Sequence, residues 1–335
     1  MEYRSLGRTG LKVSPLCLGC MYFGTRTAPE EAYAIVDRTL AAGINFFDTA
    51  NVYGRGRSEE VTGEAFRRNG KRQQIVLATK VHGRMADDDP NMQGNSRRHI
   101  IEQCEASLRR LQTDYIDLYQ IHRPQSDTPI DETLRALDDL IRSGKVRYIG
   151  TSTYAAWQAV ESQWVSHELG LNRFVCEQPP YNILDRRIER ELIPALRTYG
   201  YGIIPWSPLA GGLLTGKYRR DQPLPLNTRY GDIPAERRES SMGKQTMDAI
   251  EALIPLAQAR NLSLLEFSLA WCMHQPGITS PIIGPRDMGQ LEQNLKALDV
   301  KISDEDRKAV DAVVPPGRVV APHYEADFGP HTYRW

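Results

Sequence analysis

Four ionisable side chains, Asp48, Tyr53, Lys80 and His122, stand at the ends of short apolar runs. Their contexts are INFFDTANVYG, QQIVLATK and YIDLYQIH. A carboxylate, a phenol, an amine and an imidazole form a usable proton-transfer set. Tyr53 is the candidate acid. A phenol has a pKa near ~10 and gives up its proton reluctantly at neutral pH. A cation that stabilises the phenolate turns it into a working acid–base group. Lys80 can be that cation, and a lysine closing an apolar strand is costly to bury without a counter-charge. Asp48, closing the preceding strand, can supply the charge. His122 can hold a substrate oxygen by a hydrogen bond, or act as the proton donor itself. Singly, each residue has a simpler structural explanation: an Asp–Lys pair, a Tyr in a glycine-rich turn, a hydrogen-bonded His. The succession of all four points to one shared site.

Such a site needs a fold in which the C-terminal ends of successive strands converge. Short apolar or β-branched runs lie at 16–18, 45–48, 75–79, 115–120, 146–150, 174–176, 202–205 and 280–283. Segments with helical spacing follow them at 29–42, 58–68, 97–111, 130–143, 155–169, 190–199, 262–274 and 288–298. Eight strand–helix units predict an α/β chain with a parallel sheet that can close as a (β/α)₈ (TIM) barrel. An open doubly wound sheet usually starts with GxGxxG at its first strand–helix turn, and 16–24 lacks it. Ser58 reads as an N-cap with Glu59 and Glu60 in the first turn. Gly43 and Gly144 read as residues just past helix ends. Residues 2–13, with a GRTG turn, predict a hairpin ahead of the first strand. A further amphipathic helix is expected within 299–314. Residues 1–335 read as a single domain. Three long Gly-, Pro- and charge-rich segments, 81–96, 209–244 and 313–335, are expected to shape substrate binding.

Composition narrows the function classes. The 335 residues carry 42 basic and 42 acidic side chains, so no global field draws the chain to nucleic acid or anionic lipid. Arg186-Arg187 and Arg237-Arg238 read as solvated surface. No stretch approaches ~18 consecutive apolar residues, so no membrane span is expected. The polar N-terminus lacks a signal-peptide core, and a cytoplasmic location is expected. Cys17 and Cys20 form a CxxC, but no second CxxC or ligand histidine stands near it, so both are read as buried reduced thiols. No metal site is expected: His122, His167 and His274 lie in unrelated contexts.

The ordered segments GINFFDTANVYGRGRSEEVTGEAF, ATKVHG, DYIDLYQIH, GKVRYIGTSTY, EQPPYNILDR, GIIPWSPLAGGLLTGKY and PIIGPRDMGQLEQNLKAL resemble the aldo-keto reductase family. The resemblance runs from Arg4 to about Ala312. It implies a (β/α)₈ barrel that uses NADPH, or NADH, on a small carbonyl substrate. It assigns Asp48, Tyr53, Lys80 and His122 to a catalytic tetrad. Tyr53 is then the general acid in reduction, Lys80 with Asp48 eases its proton release, and His122 orients the carbonyl. Ser152 and Gln178 would bond the nicotinamide carboxamide. Trp206 would stack on the ring, where many relatives have Tyr or Phe. Ser207, Leu209, Gly211 and Lys217 would line a pyrophosphate site on small residues and backbone N–H groups. Gly284 and Arg286 open a strand–helix junction, where Arg286 suits a 2′-phosphate. Gln290, Gln293 and Asn294 share a helix face toward adenine. Many relatives carry a lysine in this segment, whereas Gly284 and Pro285 leave Arg286 more isolated. Met21, Tyr22 and Phe23, with Trp206, suggest an apolar substrate pocket. The long loops resemble the larger prokaryotic-type branch, some of whose members reduce keto sugars and others simple aldehydes. Relatives that serve as potassium-channel β subunits suggest an alternative, an NADPH-binding regulatory subunit with slow turnover. Self-association into a homo-oligomer stays open.

Overall fold

The apolar runs pair side by side as parallel strands. The structure, a computed structural model, describes residues 1–220, 222–226, 228, 230–231 and 242–321. A two-stranded hairpin, β1 (Arg4–Ser5) and β2 (Lys12–Val13), comes first. The parallel strands are β3 (Cys17–Gly19), β4 (Phe46–Asp48), β5 (Val76–Val81), β6 (Ile116–Ile121), β7 (Val146–Ser152), β8 (Phe174–Gln178), β9 (Gly202–Ile203) and β10 (Ile282–Ile283). Their order in the sheet is β10-β3-β4-β5-β6-β7-β8-β9. The ring closes between its ends: Thr279 N donates to Ile203 O and Ile282 N to Pro205 O, both at 2.8 Å. This is a (β/α)₈ barrel. Its strands are buried on both faces, which is why they read as continuous apolar runs rather than alternating ones.

Cys17, Phe46, Val76, Leu118, Cys176 and Ile204 fill the barrel interior. Leu6 and Val13 of the hairpin join that cluster, both fully buried, so the hairpin stoppers the N-terminal end of the barrel. A polar site can open only at the other end. Ile35, Val36, Leu137, Leu196 and Phe267 belong to the second cluster, between barrel and outer helices. Gly43 and Gly144 follow their helices with φ of +86° and +77°, as C′ glycines do. Among the described residues no helix is long and apolar enough to cross a membrane.

Several expectations need correction. A helix at Lys244–Ala259 was not anticipated. It carries Pro255 in its interior, a residue that ordinarily ends a helix. Ser58 is not an N-cap: the helix Arg57–Asn69 begins one residue earlier, and Ser58 Oγ instead donates to Cys20 O at 2.7 Å. Arg186 is not solvated surface. It is buried against Glu189 and Asp311 at 2.8 and 2.7 Å, tying the final helix Asp304–Val313 to the barrel. Arg237-Arg238 lie outside the described residues, as do 322–335 of the expected substrate-shaping tail. All five cysteines are buried, and burial pushes the Cys20 thiol up to about 12, which makes it unreactive at neutral pH.

Candidate active site

Backbone pairing delivers the four ionisable residues to one place. Beyond β4 the chain keeps bonding to β5: Thr49 N donates to Ala78 O at 2.9 Å and Asn51 N to Lys80 O at 3.1 Å. A turn closed by Tyr53 N to Ala50 O, at 3.2 Å, then folds Tyr53 back over the strand end. The turn continues through left-handed residues Gly54, Arg55 and Gly56, at φ +58°, +51° and +98°. Glycine is required at 56, where a Cβ would stand 2.6 Å from Arg110 Cδ. Beneath it, Glu59 is fully buried and accepts from Arg110 Nε at 2.6 Å and from Thr79 Oγ1 at 2.5 Å. Thr79 thus anchors the outer helix, while its neighbour Lys80 turns into the barrel, as strand alternation demands. His122 follows β6 directly, its N donating to Val81 O at 2.9 Å.

The side chains interlock. Lys80 lies inside β5 rather than at its end and is fully buried. Its Nζ donates to Asp48 Oδ1 and to Thr49 O at 2.8 Å, and it stands 3.4 Å from Tyr53 Oη. The remaining Asp48 oxygen accepts from Gln178 Nε2 at 2.9 Å and Gln120 Nε2 at 3.1 Å. Burial by itself would push the Lys80 ammonium down. Asp48 and the Tyr53 phenol outweigh that, and the net shift is upward from 10.5. Lys80 is therefore a permanent cation across the physiological range. His122 moves the other way. Burial, then the charges of Lys80 and Arg123, hold its imidazole well below 6.5. It is neutral at pH 7, with one N–H to donate. The Tyr53 and His122 rings meet edge-on, with centroids 5.6 Å apart.

A cavity of roughly 1220 Å³ opens over this group. It is larger than the ~300–1,000 Å³ typical of a small-molecule pocket. Asp48, Tyr53 and His122 face it, with Lys80 behind them. Ser152, Gln178, Trp206, Ser207, Leu209, Gly211 and Lys217 line the same space. So do Gly284, Arg286, Gln290, Gln293 and Asn294. Met21 and Tyr22 line it as well, but Phe23 does not. Phe23 is fully buried in the core between barrel and helices, so its assignment to the substrate pocket is corrected. No described residue of 81–96 lines the cavity. That segment is tied down outside it, through a bidentate Arg55–Asp87 pair at 2.8 and 2.9 Å.

Two features suit an anionic, extended ligand. Among the described lining residues, Arg26, Arg123, Lys217 and Arg286 are cationic, and Asp48, already paired, is the acid. The segment after β9 winds through left-handed residues at Ser207, Ala210, Gly211 and Gly212, with φ from +51° to +103°. The left-handed run sets Leu209, Gly211 and Gly212 on the cavity wall, where glycines let an anion approach the backbone closely. Lys217 curls back over this turn, its Nζ 3.6 Å from the position of a Cβ on Gly212. After β10, Arg286 N donates to Gln290 Oε1 at 3.0 Å, so Gln290 braces the Arg286 turn. Thr27 Oγ1 bonds Arg286 O at 2.9 Å, which brings the β3–helix loop and Arg26 alongside.

A model of the aldo/keto reductase family matches residues 15–315. The chain belongs to the aldo/keto reductase family. Among curated relatives, an uncharacterized oxidoreductase named YrpG from Bacillus subtilis (strain 168) is 40% identical over 94% of this chain and 96% of its own. A probable voltage-gated potassium channel subunit beta from Oryza sativa subsp. japonica is 40% identical, over 90% and 92%. Versiconal hemiacetal acetate reductase from Aspergillus parasiticus is 36% identical, over 91% and 95%. The protein is an oxidoreductase of this family. Sequence reasoning missed Gln120, Arg123 and Arg26. The first two had a signal, because Gln120 lies two residues before His122 and Arg123 directly after it. Arg26, in a loop, had none.

Proposed function

We propose that this enzyme reduces an aldehyde or ketone to an alcohol, with Tyr53 as general acid and NADPH as the reductant. NADPH supplies a hydride when bound. Tyr53 gives its proton to the developing alkoxide, and Lys80, 3.4 Å behind the phenol oxygen, stabilises the charge left on it. His122, held neutral, donates a hydrogen bond to the carbonyl oxygen rather than serving as the acid. Gln178 ties Asp48 to the cavity wall. Reversal of the same steps oxidises an alcohol. The observation that carries this reading is the Asp48–Lys80–Tyr53 chain, which ends in a cavity lined by four cations. Its charge suits pyrophosphate and a 2′-phosphate. The assay is NADPH oxidation with a panel of sugars, aromatic aldehydes and quinones. No turnover with any of them defeats the reading.

Arg286 is assigned to the 2′-phosphate. Arg286→Ala should weaken NADPH binding about 10- to 100-fold, the value of a charged hydrogen bond. NADH binding should change little. Equal losses, measured by fluorescence titration, would remove the role. A cytoplasmic location belongs to the same reading, supported by five cysteines carried as free thiols. A second reading follows from the relatives named as potassium-channel subunits: a cofactor-binding regulatory subunit with slow turnover. Rapid NADPH oxidation with a small aldehyde separates the two.

A further inference from the structure

Parallel pairing sets Thr151 beside Glu177 and Ser152 beside Gln178. Ser152 and Gln178 face the cavity, so alternation turns Thr151 and Glu177 to the opposite face of the sheet. Glu177 is fully buried there. A carboxyl between barrel wall and helices costs more than the apolar residue such a position suits. Burial by itself therefore does not favour it.

Its bonds do. Glu177 Oε1 accepts the Tyr154 backbone N–H at 3.1 Å, and Oε2 shares a 2.5 Å hydrogen bond with Thr151 Oγ1. One carboxyl thus grips both ends of the turn 151–154. Within that turn Thr153, not a glycine, is left-handed at φ +59°, a conformation that persists only where neighbours hold it. Ser152 Oγ donates to Gln178 O at 2.9 Å, and Thr153 N to the same oxygen at 3.3 Å. Arg123 reaches Ser152 Oγ at 3.4 Å.

We propose that Glu177 is a positioning residue for the nicotinamide end of the cavity, holding Ser152 and the Thr153 turn through Thr151 and the backbone of Tyr154. This rests on the reading of Ser152 as a contact for the cofactor's carboxamide. The site also carries a pH dependence. Burial pushes the Glu177 carboxyl up to about 8, outweighing its bonds to Thr151 and Tyr154 and the attraction of Arg123. Tyr154 and Tyr201 act on it from beside the strand and Cys176 precedes it in β8, all with their protons held by burial, and Arg123 is a charged group that attracts its ionised form. Below about 8 the carboxyl proton serves the Thr151 bond. Above it, the buried charge itself destabilises this side of the turn, although Thr151 and the Tyr154 N–H still donate to it.

The test compares wild type with Glu177→Gln and Glu177→Ala. Thermal unfolding from pH 5 to 10, without cofactor, reads the carboxyl as the difference between wild type and the Gln variant, because the buried histidines titrate in both. The unfolded carboxyl ionises near its ordinary 4.5 and the folded one near 8, so the contribution of Glu177 to stability falls between those values and levels beyond. The gap to the Gln variant should open over that window in favour of Gln. The kcat/KM for NADPH should show a wild-type inflection near pH 8 that Gln abolishes while keeping near-normal values at pH 7. Ala should raise the KM for NADPH and lower kcat/KM, on the order of tenfold to a hundredfold, the scale of a small misplacement. An inflection retained in Gln, or unchanged NADPH parameters in a folded Ala variant, overturns the proposal. A wild type that binds neither NADPH nor NADH sinks the cofactor reading instead, and the unfolding data still report on the carboxyl.

Discussion

Tyr53→Phe should lose a factor of ~10²–10⁴ in kcat, the span of general acid catalysis, while NADPH binding survives. The variant deletes one oxygen at the mouth of the cavity. Tyr53 touches the rest of the tetrad only by the 3.4 Å approach of Lys80 and an edge-on contact with His122. Lys80 keeps Asp48 and Thr49 O as partners, so nothing buried is orphaned. The fold and the cavity wall around Ser207, Gly211, Arg286 and Asn294 stay intact. Single-turnover kinetics with a saturating aldehyde separate the loss of chemistry from any change in binding. A near-normal kcat would end the assignment of Tyr53 as the acid.

Lys80→Met should cost both turnover and stability. Lys80 and Asp48 are buried, and removing one partner leaves the other charge uncompensated, a loss of ~3–5 kcal/mol. Two amides still reach the other Asp48 oxygen, from Gln120 and Gln178, so the variant should fold, with a lowered denaturation midpoint. Adding Asp48→Asn to Lys80→Met should return part of the stability, because the orphaned charge is gone, and none of the turnover. That split distinguishes a catalytic cation from a structural pair. Recovery of activity in the double variant would contradict it. Lys80 itself should impose no pH dependence on stability below the ordinary ammonium range. The folded Lys80 value lies above 10.5, so its contribution is complete below 10.5 and fades only as the pH rises through the folded value.

Legibility in the sequence followed the range of the physics. The barrel was readable because eight buried strands each write a local apolar run, and each following helix writes its own period. The tetrad was readable because its members end or follow those runs. The Lys244–Ala259 helix was not, since Pro255 speaks locally against it while packing of Ile250, Leu253 and Ile254 decides for it. Phe23 looked like part of the mouth through its neighbours Met21 and Tyr22. Only the turn bonded from Phe23 N to Cys20 O, and from 25–27 to Tyr22 O, sends its ring into the core.

By itself the sequence determined the class of fold, the family and which four ionisable residues stand at strand ends, because those depend on periodicity, residue type and order along the chain. The tertiary structure decided what no local pattern encodes. It buried Lys80 behind Tyr53, held His122 neutral, and gathered Arg26, Arg123, Lys217 and Arg286 around one space from four separate stretches of chain. It also turned Glu177 away from the cavity and onto Thr151 and the Tyr154 N–H, on either side of Ser152 and Thr153. Charge and burial act through space, so their effect on each group exists only once the strands have been brought side by side.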